Sequence, residues 1–341
     1  MQIYNPTVLK VLPYESVGPQ EERYQTIALK GTFEIIPGEA LRLIEDPEKI
    51  EDLIFADEYY GEPNMSSIKK PNDLAYFKPN SDIFIKGIAH SKGNKPITSW
   101  PVTAKIGDLE ASLEVSGPRQ WVYQKETKKW SLTDSEPCTE VELRYEAASG
   151  GSWEDGEDSD LSGLNPIGIG CCKKSLLDED EPIVAPQILG IGEDIPELGE
   201  TVTSKGFGTI TPSWDQRLHY GGTYDQDWID DQHPLPPHDF KYEFFNAAHP
   251  DLIYSGYLKG GEKVSLDGFL SEGSLDFMLP VADVELEIIF QKVPGYNVKP
   301  MLDTLFIDVE SMKAYLTWRV FLPIMESTHG LNIAINIMNH E

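Results

Sequence analysis

The densest group of side chains that could do chemistry lies within residues 215–249. It includes four histidines and five of the aspartates in this range, namely His219, His233, His238, His249, Asp225, Asp227, Asp230, Asp231 and Asp239. Imidazole and carboxylate groups together can hold zinc or another divalent ion. No two of these histidines are three or four residues apart, however, and prolines separate two of them. The sequence therefore predicts packing or surface histidines, and the alternative is a metal- or carboxylate-dependent hydrolase that uses residues 215–249.

The spaced motifs of common catalytic and cofactor sites are missing from the sequence. There is no Walker A, GxSxG, HExxH or paired CxxC motif. Residues 165–170, NPIGIG, contain GxG but lack the third glycine of a dinucleotide-binding loop. The acidic residues 149–160 lack the spacing of an EF-hand calcium loop. We therefore predict no catalytic residue, no bound metal and no cofactor.

The charge balance argues against several classes of partner. The 341 residues include 57 Asp and Glu but only 28 Lys and Arg, a formal net charge of −29. Nucleic acids and anionic membranes both attract basic surfaces, so neither is a predicted partner. The acidity fits a solvated surface or a basic protein partner. The cysteine usage and the absence of a signal peptide or a long apolar run predict a cytoplasmic protein.

Period-two alternation of apolar and polar residues predicts that β-strands dominate the fold. The alternation is clearest over residues 140–145, 284–291, 313–320 and 332–337. Further strands are predicted over residues 26–36, 82–89, 98–106, 109–115 and 119–125. Gly107 and Asp108 stand between two of these strands and predict a two-residue hairpin turn. Helix signals are limited to a short helix over 46–55 and a turn or two within 225–232 and 241–248.

The predicted fold is mainly β, with antiparallel, sandwich-like sheets, long ordered loops and few short helices. Residues 147–200 contain acidic runs together with glycine, serine and proline, which predicts a loop-rich acidic connection. We interpret the chain as one module over residues 1–341. Within that module, the sequence suggests two lobes, over residues 1–146 and 201–341, on either side of the connection.

Residues 206–246, called the aromatic segment below, combine two tryptophans with several tyrosines and phenylalanines. Glycine and proline interrupt the segment, which predicts an ordered but irregular loop. Long structured loops usually carry function or cover a core. Both interpretations stay open: Trp214, Tyr224 and Trp228 either anchor a partner protein or are buried and hold the loop.

The aromatic segment resembles the bacterial family known as domain of unknown function 2169, which is found beside type VI secretion genes. The family pattern runs as Gly-Phe-Gly, then Pro, Trp, Arg, Gly-Thr-Tyr-Asp, Trp, Pro, Pro, Asp-Phe and a Phe-Asn-Ala stretch, and it is matched from Gly206 to Ala247. Shorter matching pieces follow in the family order at residues 29–35, 60–63, 78–90, 119–121, 165–170, 258–266 and 302–323. One departure is that the family's Tyr-Glu-Arg-Ala-Phe-Gly-Gly stretch reads YEAASGG over residues 145–151.

The resemblance implies a non-enzymatic adaptor or chaperone that binds a secreted toxin effector. Such a protein helps to load the effector onto the spike protein of the type VI secretion machine. The candidate partner-binding residues are Trp214, Arg217, Tyr224, Asp225, Trp228, Asp239 and Phe240. A structural component of a phage-like particle is a third interpretation, beside the adaptor and the hydrolase.

Overall fold

The structure is a computed structural model that describes residues 2–200, 202–289, 294–324 and 330–338. The first strands are β1 (Gln2–Tyr4), β2 (Lys10–Val17), β3 (Arg23–Glu34), β4 (Arg42–Leu43), β5 (Glu58–Tyr59), β6 (Ile68–Lys70), β7 (Ser81–Lys86), β8 (Ile88–His90), β9 (Ser99–Ile106) and β10 (Leu109–Ser116). The next are β11 (Gln120–Gln124), β12 (Lys129–Leu132), β13 (Glu140–Glu142), β14 (Ser149–Gly150), β15 (Ser152–Asp155), β16 (Asp158–Leu161), β17 (Ile169–Gly170), β18 (Ile183–Val184) and β19 (Ile188–Leu189). The last are β20 (Ile253–Tyr254), β21 (Lys263–Asp267), β22 (Leu275–Met278), β23 (Val281–Ile289), β24 (Tyr296–Val298), β25 (Met301–Asp308), β26 (Lys313–Pro323) and β27 (Gly330–Met338).

Helical structure is sparse in the described ranges. There is one short α-helix, α1 (Asp215–Leu218), and one π-helical turn, Trp228–Gln232. The 3₁₀ turns are Lys92–Asn94, Tyr145–Ala147, Lys174–Leu176, Tyr242–Phe245 and Pro250–Leu252. Within the same ranges, no helix has the length and apolar character that a membrane span requires.

Three large sheets make up most of the fold. The seven-stranded sheet has the order β2-β3-β26-β25-β7-β20, with β4 added to β3, and the five-stranded sheet has the order β19-β10-β9-β21-β22. A four-stranded sheet follows the order β1-β27-β23-β24. Almost all neighbouring strands in these sheets are antiparallel, the parallel pairs being β7 with β25 and β1 with β27. The prediction of a mainly β fold with antiparallel sheets is therefore confirmed.

The large sheets combine strands from distant parts of the chain. In the seven-stranded sheet, β26 pairs with β3 along eleven residue positions, from Lys313 opposite Glu34 to Pro323 opposite Tyr24. In the five-stranded sheet, β21 pairs with β9, and β19 joins the edge from within residues 147–200. Strands from residues 1–146 and 201–341 therefore share the same sheets.

One buried apolar cluster connects the sheets. Its members in the seven-stranded sheet include Ile27, Leu29, Ile83, Leu305 and Leu316, and those in the five-stranded sheet include Val102, Ala104, Leu113, Val264 and Leu266. In the five-stranded sheet these residues alternate along their strands with more polar ones, because successive side chains point to opposite faces of a sheet. Alternation in the sequence therefore corresponds to the two faces of this sheet.

The other face of the seven-stranded sheet is polar but also buried. Arg319 on β26 donates to the Asp303 carboxylate at 2.6 Å, and Lys30 on β3 donates to Asp73 at 3.1 Å. All four side chains are buried. Burying a charge is costly unless it is paired and hydrogen-bonded. The segments that cover this face are therefore attached by specific ion pairs and not by apolar packing alone.

Most predicted local elements agree with the structure, but the strand predicted over 140–145 ends at Glu142, and residues 290–291 of the strand predicted over 284–291 lie outside the described residues. The hairpin at Gly107 is confirmed, and so are helical turns within 225–232 and 241–248. The short helix predicted over 46–55 is wrong, since only a single turn forms at 47–49. The backbone N–H of Glu51 donates instead to Thr32 Oγ1 at 3.0 Å, and that of Ile54 donates to the Asp73 carboxylate at 2.8 Å. Hydrogen bonds to Thr32 and Asp73 thus replace the backbone hydrogen bonds that would continue a helix.

Candidate functional site

The aromatic segment begins at a buried junction where three motifs meet. Tyr145 and Trp214 pack edge to face, with ring centroids 5.1 Å apart, and Ile210 completes this small buried cluster. The Tyr145 hydroxyl donates to the carbonyl of Gly208 at 3.3 Å. The Asn165 side-chain amide donates to the carbonyl of Tyr145 at 2.9 Å. Three segments that are each weak as a motif therefore form one structural unit. They are residues 145–151, 165–170 and 206–214.

A glycine is required at the start of the segment by close approach of Tyr145. A Cβ atom at Gly206 would lie 2.5 Å from Tyr145 Cε1, which no real contact allows. Burial also raises the pKa of the Tyr145 hydroxyl, so it stays a neutral donor. The Gly-Phe-Gly motif thus serves packing at this junction.

The end of the aromatic segment is attached to the sheet through Asp82 on β7. The Asp82 carboxylate is fully buried and accepts hydrogen bonds from Lys78 Nζ at 2.8 Å and from Asn246 Nδ2 at 2.9 Å. It also accepts from the backbone N–H of Ala247 at 3.0 Å. The motif at residues 78–90 therefore holds the Phe-Asn-Ala stretch in place, across more than 160 positions of sequence.

Arg217 connects the beginning of the segment to its end. Its Nη1 donates to the carbonyl of Ile210 at 2.8 Å, and its Nε donates to the carbonyl of Phe244 at 3.0 Å. The guanidinium also lies over the Phe244 ring at 5.1 Å. Burial is the largest influence on the Arg217 pKa and lowers it, while the field of Asp82 opposes that effect. Arg217 is thus an internal clamp of the segment.

Residues 223–239, called the outer loop below, project from this base and are held by their own polar contacts. Thr223 donates to the Asp239 carboxylate through both its backbone N–H, at 2.9 Å, and its hydroxyl, at 2.8 Å. These two bonds lower the pKa of Asp239. The Asp225 carboxylate accepts from the backbone N–H of Trp228 at 2.9 Å, and the indole N–H of Trp228 donates to the carbonyl of Leu235 at 2.8 Å. The outer loop therefore has a defined shape, with little regular secondary structure beyond the π-helical turn Trp228–Gln232.

The outer loop presents an acidic and apolar surface to solvent. Tyr224 is 58% exposed and Ile229 is 55% exposed. The exposed acidic residues beside them are Asp225, Asp227, Asp230 and Asp231. The outer loop contains no lysine or arginine. Its chemistry suits a partner that is both basic and apolar.

The seven candidate partner-binding residues occupy three different environments. Trp214 and Arg217 are buried and hold the aromatic segment. Phe240 is half-buried among Tyr242, Phe244 and Phe245. Tyr224, Asp225 and Asp239 are exposed, and Trp228 is half-buried beneath Tyr224, with ring centroids 4.7 Å apart. The accessible members are therefore gathered on the outer loop.

The outer loop also forms one wall of an open groove that sequence reasoning missed. The groove is lined by Glu15, Ser16, Val17, Tyr76, Tyr224, Trp228, Pro234, Leu235 and Pro236. Strand β2 supplies the first three of these residues, and Pro13 interrupts the alternation that would have predicted that strand. The signal in the outer loop was Leu235, an aliphatic residue between two prolines.

The histidines singled out in the sequence do not share one environment. His219, His233 and His238 are exposed, whereas His249 is buried. Across the described ranges, no group of three or more His, Cys, Asp or Glu side chains is arranged to hold a metal ion. His249 Nε2 lies 3.1 Å from the carbonyl oxygen of Ser204, and its Nδ1 accepts from the backbone N–H of Asp251 at 3.2 Å. These two bonds suit the neutral imidazole.

We expect His249 to make stability depend on pH. Burial is the largest influence on its pKa and lowers it, although Asp251 opposes this. The unfolded chain therefore binds a proton more readily, so this contribution is complete above about pH 6.5 and is lost as the pH falls toward the folded pKa. Urea unfolding measured between about pH 8 and about pH 5 should show a falling free energy of unfolding, with a shallower fall for His249→Gln. Equal slopes for the two proteins would show that His249 does not contribute.

The fold and the site together define an all-β protein. In this protein, the buried parts of the aromatic segment and the motifs packed against them support an exposed acidic and aromatic loop. The chain matches the family model described as "Uncharacterized protein conserved in bacteria (DUF2169)" over residues 20–319, and it belongs to that family. No curated protein and no solved structure is significantly similar to it. The family membership inferred from the sequence pattern is thus confirmed.

Proposed function

We propose that this protein is a non-enzymatic adaptor that binds a secreted toxin effector and helps to load it onto the spike of a type VI secretion machine. The observation that carries the proposal is the exposed acidic and apolar surface of the outer loop on a buried base. Exposed aromatic residues on a rigid support are typical of protein interfaces. The secretion context comes from the sequence resemblance to the family.

Preorganisation of the outer loop supports a binding role. Its shape is set by internal bonds from Thr223, Trp228 and Gln232, and the Gln232 amide also donates to the carbonyl of Pro19 at 2.7 Å, in the turn after β2. A loop that is ordered before binding loses less conformational entropy when a partner docks. Tyr224 and Ile229 can therefore contribute their apolar contact area to affinity without first being ordered.

The charge of the protein supports a basic effector as the partner. The formal net charge of −29 and the four neighbouring aspartates of the outer loop favour approach of a positively charged surface. In this proposal the adaptor meets its effector in the bacterial cytoplasm, before secretion, and the spike protein is its second partner. The proposed function involves no catalysis, cofactor, nucleic acid or membrane.

Removal of the two exposed apolar side chains tests the binding surface. We expect the double variant Tyr224→Ala, Ile229→Ala to retain its unfolding midpoint but to bind the cognate effector at least about tenfold more weakly, because it loses interface anchors and no core packing. Phe55→Ala is a matched control, since Phe55 is 63% exposed and lies outside the outer loop. Affinity is measured by titration with the effector that copurifies with the tagged wild-type protein.

A deletion strain tests the role in the cell. Without this protein, delivery of one cognate toxin should stop while the secretion machine still fires. Loss of all secretion would instead indicate a structural component of the particle. Unchanged delivery of every toxin, or no copurifying effector, would refute the adaptor role.

A further inference from the structure

Strand β2 is the outer strand of the seven-stranded sheet, and half of its backbone groups point away from that sheet. It pairs with β3 alone, from Lys10 opposite Lys30 to Val17 opposite Arg23. Beyond its end, the N–H of Gly18 donates to the carbonyl of Glu22 at 2.8 Å. Residue pairs in an antiparallel ladder alternate between hydrogen-bonded and non-bonded positions. Counted back from the bonded residue Gly18, every second residue of β2 bonds to β3. Glu15 and Val17 lie in between, so their N–H and C=O groups face outward.

No other described segment occupies these outward positions. Within residues 2–200, 202–289, 294–324 and 330–338, no backbone bond joins Glu15 or Val17 to a strand beyond β2. Unpaired strand edges are templates for pairing with another chain. The edge at Glu15 and Val17 therefore has the hydrogen-bonding capacity to accept one further strand.

The open groove beside this edge offers contacts for side chains. Trp228, Pro234, Leu235 and Pro236 of the outer loop form its apolar wall. Ser16 lines the same groove, and its hydroxyl is buried without a hydrogen-bond partner among the described residues. A buried polar group without a partner is costly. Backbone edge, apolar wall and unpaired hydroxyl thus lie together.

The electrostatics of the groove favour a basic occupant. Glu15 is exposed, and among the described residues it pairs with the exposed side chain of Arg23, at 2.6 Å. The outer loop on the other side carries five aspartates, with Asp225 directly after the groove residue Tyr224, and no lysine or arginine. A second copy of the chain is a poor occupant, because two molecules that each carry a formal net charge of −29 repel each other.

We propose that this groove binds an extended basic segment of the effector as an added strand next to β2. The proposal rests on the adaptor function and specifies how the effector is held. The segment's backbone pairs with the outward groups of Glu15 and Val17, and its lysine or arginine side chains face the outer-loop aspartates. Such strand addition obtains affinity from the main chain and specificity from alternate side chains. Pro13, which lacks an N–H, limits the pairing to the end of β2 nearest the outer loop.

The direct test removes one outward hydrogen-bond donor. Glu15→Pro loses that N–H, whereas Glu15→Ala keeps it, and both variants lose the same carboxylate. Pro13 already occupies an equivalent register position two residues earlier, so the strand accepts proline there. The probe is a short fluorescent peptide that alternates lysine and valine. We expect Glu15→Pro to bind it about fivefold more weakly than Glu15→Ala, the effect of about one net hydrogen bond.

Two measurements on the wild-type protein keep the proposal testable even if Glu15→Pro does not fold. A twin peptide with every backbone amide methylated has the same charges but cannot form the ladder, and it should bind at least about tenfold more weakly, since more than one bond is lost. Amide hydrogen exchange in residues 11–17 should slow when the unmodified peptide is added. Equal binding of both peptides, unchanged exchange, or a β2-mediated dimer in sedimentation would overturn the proposal.

The outcome can be separated from that of the adaptor function. If the effector copurifies but leaves exchange in residues 11–17 unchanged, strand addition is refuted while the adaptor function stands. If no effector copurifies with the wild-type protein, the adaptor function fails, whatever the peptide does. Slower amide hydrogen exchange in residues 11–17 when the effector is bound supports both the adaptor function and strand addition.

Discussion

Replacing Asp82 with alanine should destabilise the protein by about 3–5 kcal/mol, the cost of breaking a buried ion pair from one side. The variant leaves the ammonium of Lys78 buried without its carboxylate, which lies at 2.8 Å in the wild type. It also leaves the Asn246 amide and the Ala247 backbone N–H without their shared acceptor. The free energy of unfolding in urea, measured at neutral pH, gives the effect directly.

An exposed ion pair provides the control for Asp82→Ala. Asp180 accepts from Lys125 at 2.6 Å, but both side chains are at least 70% exposed. Solvent screens such a pair, so Asp180→Ala should change stability far less. If Asp82→Ala were no more destabilising than Asp180→Ala, Asp82 would not be the link between β7 and the end of the aromatic segment. We also expect Asp82→Ala to weaken effector binding, because the outer loop loses part of its support.

Replacing Trp214 with alanine should cost about 3–5 kcal/mol of stability, as is usual for a large aromatic side chain removed from a core. Trp214 is 2% exposed, and its ring packs on Tyr145 at the junction beneath the aromatic segment. Nothing near this ring collapses easily into the space, since Tyr145 is itself fixed by bonds to Gly208 and Asn165. Effector binding should fall in step with the unfolding midpoint.

Trp228→Ala is the matched comparison, because the same residue type stands at the groove and not in the core. Trp228 is half-buried, and its main contacts are with Tyr224, His233 and the carbonyl of Leu235. We expect its removal to weaken effector binding with a smaller loss of stability than for Trp214→Ala. This division of roles would be contradicted if Trp228→Ala were the more destabilising of the two variants and Trp214→Ala weakened effector binding more at equal stability.

Much of the secondary structure could be predicted from residue order alone, because strand alternation and turn chemistry are local properties. The strand predicted over 98–106 is observed as β9 (Ser99–Ile106), and that over 109–115 as β10 (Leu109–Ser116), with Gly107 at the hairpin between them. Local signals failed where a tertiary bond replaced a local one, as at Glu51, whose N–H donates to Thr32 and not along a helix. Family membership was equally readable, since it depends on the order of motifs.

The sequence by itself determined most of the long strands, the acidic charge, the family and the segment that carries the candidate site. Only the tertiary structure decided which members of that segment face solvent. Trp214 and Tyr224 are both aromatic residues of one loop, yet the first packs on Tyr145 and the second is exposed. The groove beside β2 was equally hidden, because its walls come from residues 15–17 and 224–236. Burial and strand neighbours depend on contacts between residues far apart in the sequence, 69 positions for Trp214 and Tyr145 and more than 200 for the two walls of the groove, and no local pattern encodes those.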